Sequence, residues 1–113
     1  MKQDHTLEML LDLDGYAAIL EKGFWVKIEA KRVHSNMGKP FGIKYSLTLH
    51  DSEGNRILGF DNAHARPGSS TKEPYDHIHR GRTRSYTYTN ASNLLEDFWK
   101  EVEIIMKREG IKL

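Results

Sequence analysis

The segment Asp76-His77-Ile78-His79-Arg80 holds the side chains of this sequence best suited to chemistry. Read as a strand, it projects His77 and His79 from one face, roughly 7 Å apart, with Asp76, Ile78 and Arg80 on the other. Imidazole titrates near neutrality and both takes and gives a proton, so two of them on one face form an acid/base pair. Basic residues crowd around them. Between His64 and Arg84 stand Arg66, Lys72, Arg80, Arg82 and Arg84 against Glu73 and Asp76, a net +3, while the remaining 12 basic and 14 acidic residues sum to −2. Guanidinium groups match phosphate oxygens bidentately and stabilise charge on a transferring phosphoryl group. The window therefore suits a phosphodiester. One imidazole would deprotonate a ribose 2′-hydroxyl, the other would protonate the leaving oxygen, and arginine would carry the phosphorane charge, with no metal or other cofactor required. Alternatively, His-x-His with a carboxylate such as Asp61 could bind a divalent metal, though His-x-His alone is a weak signal. The bland alternative is a pair of exposed strand histidines with no special role. Arg82 and Arg84 continue the histidine face only if the strand runs unbroken through Gly81, where a bulge is expected.

Other residues admit a functional and a structural reading. Trp25 lies on the polar face of its strand, where burial under the long loop or the terminal helix outweighs a role as a binding anchor. Trp99, beside Phe98, is expected in the core. Tyr86 and Tyr88 share a strand face and could stack bases, but packing against the helix is favoured. Asp61-Asn62 ends a strand, either as an Asx turn into the next loop or as part of a site.

Composition narrows the functional classes. With 113 residues, 38% hydrophobic and 29% charged, the chain is expected to form a single domain over 1–113 with one small core. There are no cysteines, so thiol nucleophiles, thiolate clusters and disulfides are excluded. GxxxxGK[ST], GxSxG and HExxH are missing, which removes support for P-loop, esterase and zincin chemistry. No segment has the apolar length of a membrane span, and residues 1 to 6 lack a basic-then-apolar leader, so a soluble cytoplasmic protein without membrane contact is expected. The overall net charge of +1 argues against bulk coating of nucleic acid and for a local contact.

The elements that must position these residues follow from periodicity. Leu7, Met9, Leu11 and Leu13 alternate, and Asp12 and Asp14 flank Gly15, which predicts strand, turn, strand up to Ile19. Phe24 to Val33 alternates cleanly, a strand with one wet face. His34 to Pro40 reads as a loop. Tyr45, Leu47 and Leu49, then the turn Asp51-Ser-Glu-Gly-Asn55, then Arg56 to Asp61 predict a hairpin. Residues 62 to 75 carry two of three prolines and no apolar pattern, a long loop of the functional or mobile kind. One or two short strands follow up to Tyr88. Leu94, Leu95, Phe98, Val102 and Ile105 recur at helical spacing, with Thr89 or Asn90 as cap and Gly110 as stop, so a helix of about 18 residues closes the chain. The expected fold class is α+β, an antiparallel sheet with a long C-terminal amphipathic helix packed on one face.

Taken in order, Tyr45, Phe60-Asp-Asn62, Asp76-His-x-His79, Tyr86-x-Tyr88 and Leu94-Leu-x-Asp-Phe98 resemble the TumE-like toxin family, the toxin half of prokaryotic type II toxin-antitoxin pairs. The resemblance spans roughly residues 41 to 108. It implies growth inhibition relieved by a helix-turn-helix antitoxin, and it carries over Asp61, Asn62, Asp76, His77 and His79 as motif positions. This sequence departs from the pattern between Asn62 and Asp76, where Ala63 to Tyr75 replace a short glycine-lysine link.

Two functional classes remain in play. The first is an RNA-directed toxin, an endoribonuclease if enzymatic, with His77, His79, Asp61 and Asp76 as catalytic candidates and Arg66, Arg80, Arg82, Arg84 and Asn62 on RNA phosphate. The second is a non-catalytic module that inhibits by occupying a protein or nucleic-acid target. A homodimer is compatible with either.

Overall fold

A computed structural model describes residues 6–34, 42–62 and 76–110. It contains helix α1 (Leu7–Asp12), strands β1 (Tyr16–Ile19), β2 (Trp25–Arg32), β3 (Ile43–His50), β4 (Arg56–Asp61), β5 (Asp76–Arg80) and β6 (Arg82–Tyr86), and helix α2 (Ala91–Arg108). The strands form one antiparallel meander in the order β1-β2-β3-β4-β5-β6. The α+β architecture expected from the sequence is thus present, with α2 on one face of the sheet.

Alternation explains which face is covered. Val26, Ile28 and Ala30 of β2, Tyr45, Leu47 and Leu49 of β3, Leu58 and Phe60 of β4, and Ile78 of β5 are all buried. Leu94, Phe98, Val102 and Met106 of α2 close over them, each fully buried, with Phe98 edge-on to Phe60 at 5.9 Å. The residues between them in each strand point to the opposite face, which no helix covers among the described residues. Asn90 caps α2 by accepting the Asn93 N–H at 2.8 Å, which satisfies one of the helix's orphan donors. Tyr86 donates to Asp97 at 2.5 Å and so ties the last strand to the first turns of α2.

The N-terminal segment differs from expectation. Leu7–Asp12 is a helix, not a strand, and only β1 after it is extended. Leu10, the residue that interrupts the alternation, is the fully buried one, with Leu7, Leu11 and Leu13 packed partly against the core. Residues 7, 10 and 11 share a helix face at i, i+3 and i+4, so a three-to-four period was present beneath the apparent period of two. The Thr6 hydroxyl accepts the Ser92 N–H at 3.0 Å and fastens α1 to the start of α2. Trp99, expected in the core, is 36% exposed at the stripe's edge.

Helix and strand readings of the first segment rank two residues oppositely. Leu10→Ala should cost about 2–5 kcal/mol of stability, while Met9→Ala, at a position 47% exposed, should stay within about 0.5 kcal/mol. Urea unfolding of both variants checks this, and the reverse ranking would restore the strand.

Candidate functional site

The open face of the sheet can be read as a grid whose columns are strands and whose rows are set by register. One row runs Glu29, Ser46, Asp61, His77, Ser85; the next runs Lys27, Thr48, Gly59, His79, Thr83. His77 and His79 therefore stand on the uncovered face as their spacing requires, with ring centroids 6.0 Å apart. Asp61, from the end of β4, reaches diagonally to His79, its Oδ2 lying 2.9 Å from Nε2. The other ring nitrogen, Nδ1, lies 3.0 Å from the Thr83 hydroxyl across the β5-β6 hairpin. A carboxylate only accepts, so Nε2 carries a proton, and in the neutral ring Nδ1 accepts from Thr83. Carboxylate, imidazole and hydroxyl are thus in series, which orients His79 and fixes its tautomer.

Arg56 completes the arrangement. A β-carbon added at Gly59 would lie 3.5 Å from the Arg56 Cδ and 3.6 Å from its Nε and Nη1, so the arginine side chain lies across the bare backbone of that glycine. A larger residue at 59 would occupy this floor. Arg56 lines two hollows, one of about 310 Å³ with Asp61, Ser46, Lys44 and Lys31, and one of about 250 Å³ with His79, Thr83, Arg80 and Arg82. It has no carboxylate ion-pair partner among the described residues. Sequence reasoning missed Arg56, Gly59 and Thr83. The one available signal was a glycine inside an otherwise apolar strand, which marks a close approach.

Other residues singled out in the sequence lie elsewhere. The chain reverses at Gly81, whose φ of +74° suits a residue without a side chain, so there is a turn where a bulge was expected. Register then pairs Arg82 with Arg80 and Arg84 with Ile78 on the helix side of the sheet, so Arg80 and Arg82 border the hollow of His79 only at the end of the hairpin. On the helix side Glu101 of α2 holds Arg80 at 2.7 Å and approaches Arg84 at 3.6 Å. Asp76 also faces the helix side, accepting from the Tyr45 hydroxyl at 2.6 Å. Asn62 is 3% exposed, and its amide accepts from the Tyr45 N–H at 3.0 Å and donates to the Ile43 carbonyl at 2.6 Å. It prolongs the β3-β4 ladder by side chain after β4 has ended; it forms no part of the open face. Tyr88 is buried and stacks on Tyr45 at 5.7 Å, so the packing reading of the tyrosines holds. Arg66, His64 and Lys72 lie outside the described residues. Trp25 lies on the face opposite α2, stacked on His50, and the long loop expected over it lies outside the described residues.

No group of three or more histidine, aspartate or glutamate side chains among the described residues is placed to hold a metal ion.

The fold and face define a small α+β domain that exposes an imidazole-carboxylate centre beside a guanidinium, that of Arg56, with no carboxylate ion-pair partner among the described residues. The sequence model of the family described as Toxin TumE matches residues 15–106, and the chain belongs to that toxin family. No curated protein and no solved structure matches it significantly. No helix among the described residues is long and apolar enough to cross a membrane.

Burial, reinforced by the bond to Asp76, holds the Tyr45 phenol well above its ordinary 10.0. Below pH 10 the phenol is protonated in both folded and unfolded chains and its stabilisation is complete. Above pH 10 only the unfolded chain loses the proton, so stability should fall by up to about 1.4 kcal/mol per pH unit from this group. Tyr45→Phe should cost about 1–3 kcal/mol at pH 7 and flatten the alkaline slope, as followed by thermal unfolding from pH 8 to 11.

Proposed function

We propose that the protein is a toxin that cuts RNA at a phosphodiester bond on the open face of its sheet, and that a helix-turn-helix antitoxin relieves its action. The observation that carries this reading is the convergence of His77, His79 held by Asp61, and Arg56 on one uncovered surface. Family membership supports the toxin role, and a toxin family implies an antitoxin partner. Acting on RNA would place it in the cytoplasm.

The division of labour follows from hydrogen bonding. His79 is engaged at both nitrogens, by Asp61 and by Thr83, which holds the ring in one orientation beside His77. His79 then acts as the acid that protonates the leaving 5′-oxygen. His77 is the base that takes the proton of the 2′-hydroxyl, which attacks phosphorus, breaks the P–O5′ bond and leaves a 2′,3′-cyclic phosphate. Imidazoles 6.0 Å apart bracket a single phosphate when each reaches it by a hydrogen bond of about 2.6–3.2 Å. Arg56 carries the phosphorane charge. Asp61 is a positioning residue for His79. Asp76 and Asn62 act through the fold, Asp76 by anchoring β5 to Tyr45 and Asn62 by extending the ladder. Arg82 and Arg80 line the hollow that also holds His79 and Thr83, and are suited to flanking phosphates.

Inducible expression of the wild type should arrest growth and yield new RNA fragments ending in cyclic phosphate. His77→Ala and His79→Ala should each lower cleavage about 10²–10⁴-fold with the fold intact, and Arg56→Ala by about 10²-fold or more. Toxicity and fragments that persist in a folded His77→Ala/His79→Ala variant would remove the imidazoles from the mechanism.

A further inference from the structure

Away from the imidazole pair, the open face carries one other concentration of unusual side chains. Trp25 and His50 are direct cross-strand partners on β2 and β3, with ring centroids 3.9 Å apart and planes within 9° of parallel. They lie in the row next to that of His79: register places Arg56 opposite His50, and Thr48, which is 2.9 Å from the His50 Nε2, opposite Gly59. Trp25 is only half-buried, and its other cross-strand neighbour, Ile19 of β1, is 84% exposed. A tryptophan held flat against a second ring, with no helix over it, is pre-organised and needs little further ordering to receive another planar group.

We propose that the Trp25–His50 pair is a nucleobase-stacking subsite, which takes a base of single-stranded RNA next to the nucleotide whose phosphate lies at Arg56 and His79. This rests on the ribonuclease reading and deepens it by naming the substrate as single-stranded. With strands about 4.8 Å apart and alternate residues about 7 Å apart, His50 stands roughly 12 Å from His79 across the grid, a distance that a nucleotide beside the scissile one covers. Arg56 lies between the two, over Gly59 and without a carboxylate ion-pair partner among the described residues, so a backbone running from the stack to the histidines passes over an unneutralised cation. Lys44, exposed on the same face, continues that charge. A flat ring pair beside a line of cations complements a single strand, whose bases are free to stack, whereas a duplex keeps its base faces covered.

The test uses the full chain in a Trp99→Phe background, so that Trp25 is the one indole, and a short 2′-O-methylated oligoribonucleotide that binds without being cut. Titration should quench Trp25 fluorescence. Trp25→Ala should weaken binding about 5- to 100-fold, the range for one stacked base, while Trp25→Phe keeps most of the affinity. An oligonucleotide with an abasic site at the stacked position should bind the Trp25 protein as weakly as the intact one binds Trp25→Ala. Equal affinities of Trp25 and Trp25→Ala proteins, with RNA cleavage intact, would overturn this subsite and leave the ribonuclease reading standing. A loss that is the same with and without the base, or one confined to the antitoxin complex, would overturn it in favour of a fold or protein-contact role. Failure of the Trp25 protein to bind any strand would remove both proposals.

Discussion

The register of β5 against β4 is the constraint on which the candidate site depends. A strand offers alternate residues to opposite faces, and α2 covers one face, so a slip of one residue would drive His77 and His79 under the helix and Ile78 into water. Apolar burial resists that slip through Ile78, and two polar contacts reinforce it. Tyr45 donates to Asp76 at the start of β5, and the Asn62 amide completes the ladder to β3 where β4 ends. Both contacts are buried or nearly so, and leaving either polar partner unmatched costs more than the bond itself contributes. They fasten the two ends of the segment 63–75 to the same strand, β3. The chain can therefore vary in length between Asn62 and Asp76 while Asp61 and His77 remain opposite one another.

The same alternation sorts the charges. Five basic residues crowd the sequence near the histidines, but the turn at Gly81 carries Arg80, Arg82 and Arg84 to the helix side, where Glu101 holds the first and approaches the last. The cation that lies with the imidazoles comes from another hairpin. Arg56 reaches that place because a register shift between Leu49 and His50 sets it opposite His50, and its side chain lies along Gly59. A basic stretch of sequence and a basic surface are thus different things in a sheet, and Arg56 and Lys44, which give the open face its positive charge near Asp61, both lie outside residues 64 to 84.

Much of this fold was legible in advance because its periods are clean. The alternation from Phe24 to Val33, the turn at Asp51 to Asn55 and the helical stripe from Leu94 to Ile105 each have one dominant period and clear boundaries, and each became the element expected. The first helix was not legible in the same way. Six residues with leucine at 7, 10, 11 and 13 and methionine at 9 satisfy two periods at once, and the choice fell to the packing of Leu10 against the core and to the Thr6 bond to α2. For Trp25, periodicity assigned the right face but could not reveal that the ring across the ladder, His50, would stack against it.

By itself the sequence determined which residues lie on opposite sides of a strand, and hence that His77 and His79 share a face from which Asp76 is excluded, because the two-residue period is a local property of the backbone. It also carried family membership, through an ordered set of residues that the fold joins in pairs, Tyr45 with Asp76, Tyr86 with Asp97 and Phe60 with Phe98. Only the tertiary structure decided which face stays open, that Asp61 and Thr83 hold His79, and that Arg56 is the cation beside it. Those outcomes depend on register between strands distant in sequence and on where one helix lies, and no local pattern encodes either.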